Sequence, residues 1–140
     1  MKISLITPAG KRSKSGNRTT AERWAGIFRG FGHRVRVAEI YNGEAADMMV
    51  ALHAWRSADS ILRFRERTPR RPIVVALTGT DIYRFQQSHR APTRRSMALA
   101  DRLVCLHGLV AAALPPEFRP DEHTSVLQSR RNLVRRLLLA

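Results

Sequence analysis

The chain has 140 residues, 44% of them hydrophobic, one cysteine, and 25 Lys and Arg against 11 Asp and Glu, for a formal charge of +14. That length suits one domain with one core; the apolar content excludes a disordered chain, the lone cysteine excludes an internal disulfide, and no apolar run is long enough for a secretory core or a membrane span, so cytoplasm is the expected compartment. The basic excess, arginine except at Lys2, Lys11 and Lys14, suits an anionic partner; nucleic acid ranks last, because the basic residues are spread along the chain with few aromatics beside them.

In chain order, Ile3 to Ile6 predicts a strand, stopped by Thr7-Pro8. The loop Ala9 to Asn17 follows, then an amphipathic helix from Arg18 to Gly30. Its apolar stripe is Ala21, Trp24, Ala25 and Phe28, with Arg18, Glu22 and Arg29 outside. Gly32 is its expected stop. Val35 and Val37 alternate with Arg34 and Arg36, as in a half-exposed strand near a sheet edge, and Tyr41 to Glu44 reads as a turn. Asp47 to Leu52 is a third strand with His53 at its end. A helix follows, with the stripe Ala54, Ala58, Ile61 and Leu62, and stops before Pro69.

Ile73 to Leu77 is an unbroken apolar run bounded by turn residues, the pattern of a strand buried on both faces of a parallel sheet. The loop Thr78 to Asp81 and an irregular polar stretch, Ile82 to Pro92, come next. A short helix from Ala91 or Thr93 through Ala100 leads to a fifth strand, Arg102 to Leu106. Gly108 to Leu114 predicts a small helix, and His123 to Gln128 a weak sixth strand. Arg130 to Leu139 forms a basic amphipathic tail striped by Leu133, Val134, Leu137 and Leu138. Strands alternating with helices imply right-handed crossovers and an α/β, Rossmann-like, doubly wound, mostly parallel sheet. Residues 1–129 form the domain and 130–140 the tail.

In that architecture ligands bind beyond the carboxyl ends of the strands, which directs attention to three segments. The first loop carries neither a GxGxxG nor a GxxxxGK[ST] fingerprint. It does carry Lys11, Arg12, Lys14, Gly16, Asn17 at the helix N-cap, and Arg18. Free backbone N–H groups with those cations would hold an anion, and an ordinary solvated loop with a capped helix would look the same. His53 would donate to a substrate oxygen or act as a base, or serve the structure alone. In Thr78-Gly79-Thr80-Asp81, Gly79 admits close approach of a ligand. Asp81 would bind a sugar hydroxyl or cap the next turn. His33, His89, His107 and His123 lack ligand spacing, so no metal is expected. No nucleophile elbow or Cys–His pairing is present, and Cys105 in its apolar run reads as a buried hydrophobe.

The ordered set Gly16-Asn17-Arg18-Thr19-Thr20, Arg23-Trp24-Ala25, Gly32 to Val37, Leu52-His53-Ala54, Ala76 to Arg84, and Ser96 with Leu99 to Val104 resembles the amino-terminal domain of GT-B glycosyltransferases. Within that class it is most similar to the selenosugar synthases of selenoneine biosynthesis, over residues from about 2 to 129. The resemblance implies attack of selenophosphate on the anomeric carbon of UDP-N-acetylglucosamine, with His53 and Asp81 in catalytic roles. Lys14, Gly16, Asn17, Arg18, Thr78, Gly79 and Thr80 would hold substrate or anion, with no cofactor. In such enzymes a carboxyl-terminal domain holds the nucleotide sugar, and the likeness ends near Ser129. The expected partners are therefore a nucleotide sugar, a small anionic acceptor, and a complementary donor domain or a second copy of the chain. Without a donor-binding half the implied state is inactive. The competing expectation is a non-catalytic anion- or nucleotide-binding module.

Overall fold

The computed structural model describes residues 1–10, 16–79, 81–85, 88–105, 112–114, 116–118 and 124–126. Its strands are β1 (Lys2–Ile6), β2 (Arg34–Ala38), β3 (Met48–Leu52), β4 (Ile73–Leu77), β5 (Arg102–Cys105) and β6 (Thr124–Val126). They form one sheet in the order β2-β1-β3-β4-β5-β6, and every neighbouring pair is parallel. Among the described residues the α-helices α1 (Gly16–Gly30), α2 (Ala58–Arg67) and α3 (Arg90–Leu99) alternate with the strands. The fold is a Rossmann-like parallel α/β sheet. No helix among the described residues is long and apolar enough to cross a membrane.

The sheet is sandwiched because its central strands are apolar on both sides. All five residues of β3 and of β4 are buried. On one face Trp24, Phe28, Ala21 and Ala25 of α1 join the core that holds Ile3, Leu5, Val50 and Leu52. On the other, Ile61 and Phe64 of α2 and Met97 of α3 join the core of Met49, Ala51, Ile73 and Val75. Tyr41 meets Phe64 edge to face there, with ring centroids 5.3 Å apart. Each such large apolar side chain contributes about 1.5–3 kcal/mol by leaving water. Edge strand β2 is only half covered, as its alternating pattern predicts: Arg34 and Arg36 are exposed while Val35 and Val37 face α1.

Several boundaries differ from the sequence expectation for local reasons. Helix α1 begins at Gly16, so Asn17 lies inside its first turn and not at a cap outside it. Arg18 is not on the solvent face: it is 7% exposed and ion-paired with Glu22 one turn on. Gly32 ends the helix with φ +88°, the left-handed conformation that glycine adopts without cost. Helix α2 starts at Ala58, four residues late, because residues 53–57 form a separate turn. Asp81–Phe85 is a π-helical turn where irregular chain was expected. Pro92 lies in the first turn of α3, where its missing N–H costs no helical bond. The strand expected through Leu106 is described to Cys105, and that expected over His123 to Gln128 is described as Thr124–Val126. Lys11 to Ser15, Thr80, residues 108–111 of the small helix and the tail 130–140 lie outside the described residues.

Candidate functional site

The chain leaves β1 toward β2 and leaves β3 toward β4, in opposite directions across the sheet. The carboxyl ends of β1 and β3 therefore flank a switch point, where crossover loops part and leave a crevice. Register brings Ile6 beside both Ala38 and Ala51, and Leu52 beside Ala76. Thr7, His53 and Thr78 thus emerge at one rim, continuing the ladder through Thr7 N–H to the Ala38 carbonyl and His53 N–H to the Ala76 carbonyl, each 2.9 Å.

His53 has φ +77°, unusual for a side-chain-bearing residue, and is 1% exposed. The turn after it explains how that conformation is held. Arg56 N–H donates to His53 Nδ1 (3.1 Å), Ser57 N–H to the His53 carbonyl (3.1 Å), and the Ser57 hydroxyl to the Leu52 carbonyl (2.6 Å). Since Nδ1 accepts, the neutral ring carries its proton on Nε2. Burial holds the His53 pKa below its ordinary value, against the pull of the Asp81 carboxylate, and Arg56 lowers it further. The ring is therefore a neutral donor at physiological pH, and its basic nitrogen is already engaged.

Asp81 is fully buried, and its carboxylate gathers three backbone N–H groups. Oδ1 accepts from Gly79 (3.0 Å) and Thr78 (3.1 Å), and Oδ2 from Ala54 (3.0 Å). The last bond ties the β4 loop to the residue that follows His53, so the two predicted catalytic side chains belong to one assembly. Asp81 fixes both loops. Gly79 has φ +112°, which lets the turn close around the carboxylate. The Thr78 hydroxyl oxygen is buried at this rim with no hydrogen-bond partner.

Of the other predicted residues, Gly16 and Asn17 open α1, and Arg18 spends its guanidinium in part on Glu22; Lys14 and Thr80 fall outside the described residues. Two residues with no assigned role join the rim. Trp55 stacks on His89, with ring centroids 4.1 Å apart and a 35° tilt, and lies 6.4 Å from the His53 ring. Trp55 could have been suspected from its place two residues beyond His53. Nothing in the sequence joins His89 to it, because the contact is made only when α3 packs back toward the rim. Cys105, buried at the end of β5, has its thiol pKa pushed up to about 11 by burial and, secondarily, by Asp81, which leaves it unreactive. No protein-family model matches the sequence, and no curated protein matches it significantly.

Proposed function

We propose that this chain is the acceptor-side half of a glycosyltransferase of the GT-B type, and that its reaction is the one its motifs imply: transfer of N-acetylglucosamine from UDP-N-acetylglucosamine to selenophosphate. The observation that carries this reading is the joining of the His53 turn to the Thr78–Asp81 turn, through Asp81, at the switch point of the sheet. Selenophosphate is an already ionised nucleophile, so it needs positioning more than a general base. A neutral His53 that donates through Nε2 suits that demand better than a basic one. In the step, selenium bonds to the anomeric carbon while the bond from that carbon to the UDP oxygen breaks. The strongly positive chain offsets charge on both reactants. Asp81 acts as a positioning residue in this scheme, because its oxygens are given to backbone N–H groups.

The test is UDP release from a mixture of the purified chain, UDP-N-acetylglucosamine and selenophosphate, with and without a separately supplied donor-binding domain. Release dependent on both substrates, reduced on the order of a hundredfold by His53→Ala, is the expected outcome. Absence of turnover in either mixture, with no binding of either substrate, refutes the reading. The engagement of both Asp81 and His53 Nδ1 by backbone favours one alternative, a non-catalytic module that only binds anions. Binding of phosphate without turnover under all conditions would select it.

A further inference from the structure

The connection from β2 to β3, residues 39–47, contains no helix. Since β1 lies between those two strands, the connection must cross it. It does so on the side of α2 and α3, where Tyr41 and Ala46 pack against the core of Ile61 and Phe64. A helix in that place would have covered the sheet; this irregular segment leaves a hollow over the amino-terminal half of β1 and β2. The cavity measures about 220 Å³ and is lined on the sheet by Lys2, Ser4, Arg34 and Arg36, and on the connection by Glu44, Ala45 and Ala46.

Its two ends differ in charge. Side chains alternate along a strand, and the register sets Lys2 opposite Arg34 and Ser4 opposite Arg36, so these four share one face. At the Ser4–Arg36 end Glu44 supplies the balance: Oε1 accepts from the Ser4 hydroxyl (3.1 Å) and Oε2 pairs with Arg36. The Lys2–Arg34 end has no such balance. Neighbouring strands lie about 4.8 Å apart, and like charges directly opposite destabilise a sheet. Neither side chain makes an ion pair or hydrogen bond among the described residues. Asp47, beside Ala46, does not bridge them: it accepts from the Lys2 backbone N–H (2.8 Å) and lies 3.6 Å from Arg71.

An anion with several acceptor oxygens relieves that repulsion, and an ammonium beside a guanidinium is the donor set that phosphate groups take. The cavity is smaller than the about 300–1,000 Å³ of pockets for drug-sized ligands, so whatever carries the anion must be small. We propose that this hollow binds a phosphate group, as the free ion or a small monoester, between Lys2 and Arg34. At about 3.3 Å per residue, β1 sets Lys2 about 16 Å from Thr7 at the carboxyl rim. The hollow is thus a second anion site, independent of the chemistry proposed for the rim.

The test is a titration of the whole nitrogen-labelled chain with phosphate and with glycerol phosphate at constant ionic strength, followed by backbone amide shifts. Saturable shifts at Ser4, Val35 and Ala46 are expected, with affinity reduced about tenfold by Lys2→Gln or by Arg34→Gln. Ala45→Leu, at an exposed lining position, should also weaken binding by crowding the cavity without removing charge. Arg23→Gln removes one exposed charge from α1, which covers the other face, and should change nothing. Tighter binding of glycerol phosphate assigns the site to monoesters, and tighter binding of phosphate to the free ion; either order supports the site. Shifts that never saturate, that survive both charge substitutions, or that fall equally with Arg23→Gln reflect net charge alone and overturn the proposal. Shifts confined to Ala54 and Gly79 overturn it too, by placing the anion at the rim. A response to an aspartate-rich peptide with none to phosphate overturns it in favour of a protein-docking face.

Discussion

Replacing Asp81 by alanine should cost the fold far more than a surface carboxylate would. The side chain is fully buried and accepts from Ala54, Thr78 and Gly79 N–H. Truncation orphans those donors, two of them in fully buried bonds, at about 1–3 kcal/mol each. With the less buried Thr78 bond counted at the low end, the loss is about 3–7 kcal/mol, a large share of the 5–15 kcal/mol that holds a typical domain together. For a urea dependence of about 2 kcal/mol per molar, the midpoint should fall by roughly 1.5–3.5 M. Asp81→Asn, which keeps one accepting oxygen, should fall about half as far. Equilibrium urea unfolding followed by tryptophan fluorescence measures both. If Asp81→Ala unfolds within about 1 kcal/mol of the parent, the carboxylate is not the clamp between the β3 and β4 loops. A purely chemical role for it would then regain ground.

Other outcomes can be checked independently. Because the folded pKa of His53 lies below its ordinary value, the unfolded chain takes up that proton first. The group's contribution to stability is complete above about pH 6.5 and is lost as pH falls toward the folded pKa. His53→Asn keeps an acceptor for Arg56 N–H and tolerates the left-handed backbone. Its loss of stability between about pH 7 and about pH 5 should be smaller than the parent's; equal losses would mean that His53 does not titrate as described. Gly79→Ala, at φ +112°, should destabilise by about 1–3 kcal/mol in the same urea assay, and an unchanged midpoint would deny that the turn needs glycine. Cys105, buried with its pKa pushed up to about 11, should resist a thiol reagent in native buffer and react at once in denaturant. Fast labelling of the native chain would show β5 to be open.

Periodicity made the sheet readable before any coordinates. The run Ile73 to Leu77 can only be apolar on both faces if helices cover both, and that requirement alone predicts a doubly wound parallel sheet. The Arg–Val alternation of residues 34–37 likewise marks β2 as a half-wet edge. Capping and loop geometry were harder. Arg18 reads as a solvent-facing charge from helical spacing, yet it folds down onto Glu22. The helix expected from Ala54 begins at Ala58 because His53 and Ser57 hold the intervening turn with bonds that no propensity encodes.

His53 and the Thr78–Asp81 turn were identifiable as rim residues because strand ends are written in the sequence. How they act was not. The tautomer of His53 follows from one backbone N–H three residues on, and the binding of Asp81 to Ala54 spans 27 positions. Trp55 meets His89 only because the fold brings separate loops to one edge. Local sequence pattern thus determined which segments are buried and in which repeating geometry, since apolar spacing is a local property. The tertiary structure alone decided which polar groups satisfy one another, because hydrogen bonds and ring contacts depend on distances between chain segments that the sequence order does not contain.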